Sequence, residues 1–187
     1  MLKISGLTFT IDETSTIGNQ KMNRITRDEY IEVVKGFIQS KFSSRDAQLN
    51  FALGVVGEAI EFGTSDHENL EDARLELGDL QWYLTALCLS LHVNPDRSFR
   101  STERPDSNKM AVIDMVTYAG LISEGIKKRH FHNKPLHDDF YQAIDNLANQ
   151  IHHAAAALKC DTIEIMSLNA EKLIRRHEGI TFKPHEN

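Results

Sequence analysis

Four carboxylates in two short spacings are the residues in this chain best suited to chemistry. Glu58 and Glu61 stand three apart in GVVGEAIEFG, and Glu76 and Asp79 three apart in LELGDLQWYL. Residues at i and i+3 share a helix face, so each stretch presents a pair of acids. At about 100° per residue, Gly54, Gly57, Glu58 and Glu61 fall in one sector, flanked by Phe51, Val55 and Phe62 on one side and Leu53 and Ile60 on the other. In the second stretch Glu76, Asp79 and Tyr83 share a sector beside Leu80 and Leu87. Four acids on the inner faces of neighbouring helices repel one another and lose hydration, at a cost of several kcal/mol per ion unless a cation compensates. The donors are all oxygens, with no His or Cys at matching spacing, which points to Mg²⁺ or Mn²⁺ bound together with a substrate's phosphates. The two glycines strip side chains from the carboxylate face and leave room for a ligand. Glu29/Glu32 and Glu68/Glu71 repeat the spacing without the apolar surround and read as solvated helix faces.

E-x-x-E, then E-x-x-D after a gap of 14 residues (62 to 75), then Asn169-x-x-Lys172-x-x-Arg175, resembles the all-α nucleoside triphosphate pyrophosphohydrolases, the MazG-like proteins and the dimeric dUTPases. The resemblance covers helices from about Thr26 to Gly179 and leaves the first 25 residues unaccounted for. It implies a Mg²⁺-dependent pyrophosphohydrolase that converts an NTP or dNTP to the monophosphate and pyrophosphate. Glu58, Glu61, Glu76 and Asp79 would hold the metal, and Asn169, Lys172 and either Arg175 or Arg176 would meet the phosphates or the base. It further implies a homodimer or homotetramer. Many MazG-like proteins open the first motif with two adjacent acids, whereas Gly57 precedes Glu58 here, so whether Glu58 or Glu61 is the catalytic base stays open. Likeness to the dimeric dUTPases favours a pyrimidine deoxynucleotide; likeness to MazG-like proteins allows a purine or broad specificity. A non-catalytic metal- and nucleotide-binding regulatory bundle is the alternative reading, and a purely structural bundle a third.

Composition agrees with a small-molecule partner. A chain of 187 residues with 41% hydrophobic content suits one compact domain, residues 26–187, with a sizeable core. No run of 18 apolar residues and no basic segment leading into an apolar one occurs, so neither a membrane nor secretion is indicated and the simplest location is the cytoplasm. A net charge of −6 argues against polymeric nucleic acid, whose backbone demands clustered Lys and Arg. A small phosphorylated substrate escapes that objection because a metal ion can bring it to an acidic site. Cys88 and Cys160 lie in apolar helical stretches and read as small buried residues.

The elements that must position these groups are helices, so the fold class is all-α, a bundle of about six. Thr26 with Glu29 makes a capping box for a first helix ending near Lys41. The second runs from about Arg45 to Gly63 and the third from about Asn69 to Leu91, with Asp96–Ser107 as the one clear loop. A fourth covers about Lys109 to Lys128, Pro135 suits the first turn of a fifth reaching Leu158, and a sixth starts at Asp161/Glu164 and closes at Gly179. Residues 1–25 read as a small hairpin, an arm on a neighbouring subunit or a frayed terminus.

Sliding the chain by 66 positions lays Glu58 on Glu124, Glu61 on Lys127, Glu76 on Gln142 and Asp79 on Asp145. This predicts two tandem copies of one helical hairpin, the second without metal ligands. Lys127 is then either a cation facing the acids and the triphosphate or part of an ordinary basic helix end. Trp82 either stacks on a base or belongs to the core. His130, His132 and His137 lie at an exposed turn without tetrahedral ligand spacing. No Glu-x-x-His pair occurs, which weighs against a di-iron carboxylate bundle.

Overall fold

Thr26 and Glu29 cap each other as their spacing requires. The Glu29 carboxylate accepts from the Thr26 N–H at 2.7 Å, and the Thr26 hydroxyl accepts from the Glu29 N–H at 3.2 Å. From there α1 runs Arg27–Ile38 and buries Tyr30, Ile31, Val33, Val34 and Ile38. The computed structural model describes residues 2–4, 7–9, 24–38, 44–99 and 104–177. The expected end of the first helix at Lys41, the closure at Gly179 and most of the N-terminal arm lie outside them. Within the arm, β1 (Leu2–Ile4) and β2 (Leu7–Phe9) pair antiparallel as a small hairpin, with Leu2 opposite Phe9.

Two longer hairpins follow. Ser44 caps α2 (Arg45–Thr64) by accepting from the Ala47 N–H, and Asn69 does the same for α3 (Leu70–Ser90) from Asp72. After 3₁₀ turns at Pro95–Phe99 and Ser107–Lys109, inside and beside the expected loop, come α4 (Val112–His132) and α5 (Asp138–Ala157). Advanced by 66 positions, α2 becomes 111–130 and α3 becomes 136–156, each within two residues of α4 and α5 at either end. The class is all-α apart from the short N-terminal hairpin.

One boundary differs from expectation. Pro135 does not open α5, because α4 continues past Lys128 to His132 and ends on Asn133 in the left-handed region (φ 52°), whose N–H returns to the Lys128 carbonyl. The reversal therefore consumes Pro135, and α5 starts at Asp138.

The last helix, α6 (Thr162–His177), is capped by the Asp161 carboxylate, which accepts from the Glu164 N–H at 2.9 Å. It packs on α3 and α1, and Arg74 of α3 fastens its start by donating to the Leu158 carbonyl at 2.7 Å and pairing with Glu164 at 3.1 Å. The apolar core shared by the six helices includes Phe62, Leu77, Leu84, Met115, Ile122 and Leu147, all fully buried, each contributing about 1.5–3 kcal/mol. Among the described residues no helix is long and apolar enough to cross a membrane.

Candidate metal and phosphate site

The α2–α3 hairpin brings Glu58, Glu61 and Glu76 together. One carboxylate oxygen from each lies within 4.8 Å of the others, and this is the one such group of three or more His, Cys, Asp or Glu among the described residues. Glu61 is exposed, while Glu58 and Glu76 are half-buried. Oε2 of Glu58 is buried and has no hydrogen-bond partner. Burial first, then the charges of Asp79, Glu61 and Glu76, push the Glu58 carboxyl up to about 7, against the pull of Lys172. Burial also raises Glu76; Lys172 opposes it, and Asp79, Glu61 and Asp72 add to it. A buried, unpartnered carboxylate oxygen among like charges is one a cation would satisfy, and an all-oxygen donor set suits a hard divalent one. The residues present therefore fit Mg²⁺ or Mn²⁺.

Asp79, the fourth acid expected at the site, lies outside that group of three. Its carboxylate is claimed by α6: Asn169 Nδ2 donates to Oδ1 at 2.8 Å, and Lys172 Nζ pairs with Oδ2. Lys172 is only 5% exposed, so this is an interior ion pair whose carboxylate also receives a neutral donor. Spacing along α3 places Asp79 beside Glu76 but is blind to a cation arriving from another helix. The approach of α6 depends on Gly78, where a Cβ would stand 3.0 Å from Asn169 Cβ and 3.4 Å from the Ile165 carbonyl oxygen. On the far side of Asn169, the Tyr30 hydroxyl of α1 donates to Oδ1 at 2.8 Å. Neither Tyr30 nor Gly78 is singled out by sequence. Tyr30 repeats at core spacing with Val33 and Val34, and a small residue just before Asp79 is the only hint of the close crossing.

The glycine expectation divides. At Gly54 a Cβ would come within 2.2 Å of the Tyr83 ring, so the space there is filled by Tyr83 and not by a ligand. At Gly57 nothing lies within 4 Å, and the helix surface beside Glu58 is open. Burial and the charges of Glu58, Asp79 and Glu61 raise the Tyr83 hydroxyl above its ordinary value. Trp82 stands edge-on to Phe51 (6.0 Å) and Tyr83 (4.9 Å), half-buried against the core, with its indole N–H buried and unpartnered.

Other expected residues keep to their own helices. Lys127 is exposed on α4 and pairs with Glu124, as does Lys128 at 3.5 Å, so no described contact carries Lys127 to the acids. Arg175 pairs with Glu171 one turn earlier, leaving its Nε buried and unpartnered. In the second hairpin Asp145 receives Arg97 through two hydrogen bonds of 2.6 and 2.8 Å, so the acids equivalent to Glu58 and Asp79 both meet cations of the chain itself. His130 is not exposed as expected: it is half-buried, 3.7 Å from Asp46, with Nδ1 unpartnered. His132 and His137 are exposed. Cys88 is fully buried and Cys160 half-buried, both as free thiols that burial raises to about 12 and 11. In comparisons with known proteins, no family model, no curated protein and no solved structure matches the chain.

Proposed function

We propose that this chain is a Mg²⁺-dependent nucleoside triphosphate pyrophosphohydrolase that cleaves an NTP or dNTP to the monophosphate and pyrophosphate, acting on cytoplasmic nucleotide pools. The observation that carries the reading is the Glu58–Glu61–Glu76 cluster with its orphaned buried oxygen, set beside a cation and an amide from α6.

A bound divalent ion supplies Lewis-acid polarisation of a phosphoryl group and bridges negative charges. Glu58 and Glu76, half-buried, would hold that ion in their ionised form. Glu61 is the exposed member, the carboxylate that solvent reaches, and it takes the proton of the attacking water. Asp79, paired with Lys172, would be the fourth ligand, at the inner wall. Lys172, paired with Asp79 behind the acids, would offset the negative charge gathered there, and Arg175, with a spare buried N–H, stands one turn further along α6. The open backbone at Gly57 lets the phosphate chain lie against α2.

Incubating the full chain with a panel of NTPs and dNTPs, with and without Mg²⁺, and assaying pyrophosphate tests the reading. Release with Mg²⁺, lost in Glu61→Ala and Asp79→Ala variants that keep their helical circular dichroism, is expected. Binding without release favours a regulatory metal- and nucleotide-binding bundle, and absence of both leaves a structural one.

A further inference from the structure

Tyr30 is fully buried on α1, and its ring meets Phe99 edge-on with centroids 6.0 Å apart at 77°. A phenylalanine would fill the same volume and keep that contact, so packing does not call for the oxygen. The hydroxyl serves one group, Asn169 Oδ1, at 2.8 Å. Asn169 is itself fully buried, with no solvent to turn to, and its amide is held at both ends: Tyr30 on the oxygen, Asp79 on the nitrogen at 2.8 Å. Beyond Asp79 the chain of contacts ends on Lys172, 5% exposed. Four side chains from three helices, α1, α6 and α3, thus form one interior line. Its third member, Asp79, is the acid that acts most strongly on Glu58 of all the neighbouring charges.

Removing the hydroxyl strands a buried carbonyl oxygen and frees the amide to turn about its last bond. Asp79 would then lose a donor of fixed direction and answer to Lys172 alone, a flexible point charge that does not define the plane of a carboxylate. We propose that Tyr30 is a positioning residue of the acidic site, fixing Asp79 through Asn169, so that docking of α1 sets the geometry with which divalent ions are held. This rests on the reading of the site as a divalent-ion site.

The test is Mn²⁺ titration calorimetry on the full chain, with thermal unfolding alongside, for Tyr30→Phe, Asn169→Ala, the double variant and Phe99→Leu. Tyr30→Phe should weaken Mn²⁺ binding about tenfold, as is usual when support behind a metal ligand is lost. Asn169→Ala should weaken it at least as much, and the double variant no further, because the hydroxyl acts only through the amide. Phe99→Leu should lower the melting temperature and leave Mn²⁺ affinity unchanged, separating position from stability. Unchanged affinity in Tyr30→Phe, or a full second loss on the Asn169→Ala background, overturns the proposal. Should Tyr30→Phe not fold, undiminished affinity in Asn169→Ala overturns it equally. An unsubstituted chain that binds no Mn²⁺ sinks the divalent-ion reading and this proposal with it. Normal binding with an indifferent Tyr30→Phe sinks this proposal alone.

Discussion

Replacing Glu58 with glutamine should stabilise the metal-free protein and destabilise the metal-loaded one. Without an ion, the Glu58 carboxyl is pushed from its ordinary 4.5 up to about 7, chiefly by burial, so that above neutrality the ionised group disfavours the fold by about 3 kcal/mol. Glu58 is only half-buried, and solvent screening reduces this to roughly 1–2 kcal/mol. Glutamine keeps the shape, removes the charge and can donate to Glu61 or Glu76. In EDTA at mildly alkaline pH the variant should therefore melt about 2–8 °C higher, at roughly 2–4 °C per kcal/mol for a chain of this size. The sign with pH follows. A carboxyl whose folded pKa is raised contributes stability that is full below its unfolded value and lost as pH rises through the folded one. The unsubstituted chain in EDTA should lose stability between about 4.5 and 7, and the variant should show a flatter curve. In Mg²⁺ at a hundredfold excess over its dissociation constant the unsubstituted chain gains about 2.7 kcal/mol, most of which the variant, short of one ligand, should forfeit. Differential scanning fluorimetry with EDTA and with Mg²⁺ reads both arms. A Glu58→Gln variant less stable than the unsubstituted chain in EDTA would refute the claim that this carboxylate is a burden relieved by an ion.

Two further outcomes follow from packing and burial. Gly54→Ala, whose new methyl would meet the Tyr83 ring at 2.2 Å, should cost about 1–3 kcal/mol, whereas Gly57→Ala, with nothing within 4 Å, should be neutral or gain up to about 1 kcal/mol; equal melting temperatures for the two would contradict the described surfaces. Burial, foremost, holds the His152 imidazole below its ordinary 6.5, where it contacts the Phe99 carbonyl and the Thr162 hydroxyl. A depressed folded pKa means stability present above 6.5 and lost as pH falls, so His152→Gln should flatten the acid side of the melting curve, and parallel curves would count against it.

Helix periodicity and caps make most of the fold legible. Thr26/Glu29, Asn69 and Asp161 all cap the helices whose starts they mark in the sequence, because those interactions are local. Pro135 misleads because α4 ends on Asn133 in a left-handed turn whose N–H satisfies the Lys128 carbonyl, two residues before the proline. At the site, i and i+3 spacing finds the three glutamates, whose meeting needs only a helical hairpin. Spacing places Asp79 on the right face but not in its company, since Lys172 lies 93 positions away. Gly54 looks like ligand space for the same reason: the Tyr83 ring that fills it comes from the neighbouring helix, which a single helical wheel does not contain.

Asn169 and Lys172, the groups that restrain Asp79, arrive on the last described helix. During synthesis the α2–α3 hairpin emerges with all its acids before this counter-charge is made. A chain that ends before α6 therefore carries every acid of the hairpin without the amide and the ammonium that restrain Asp79.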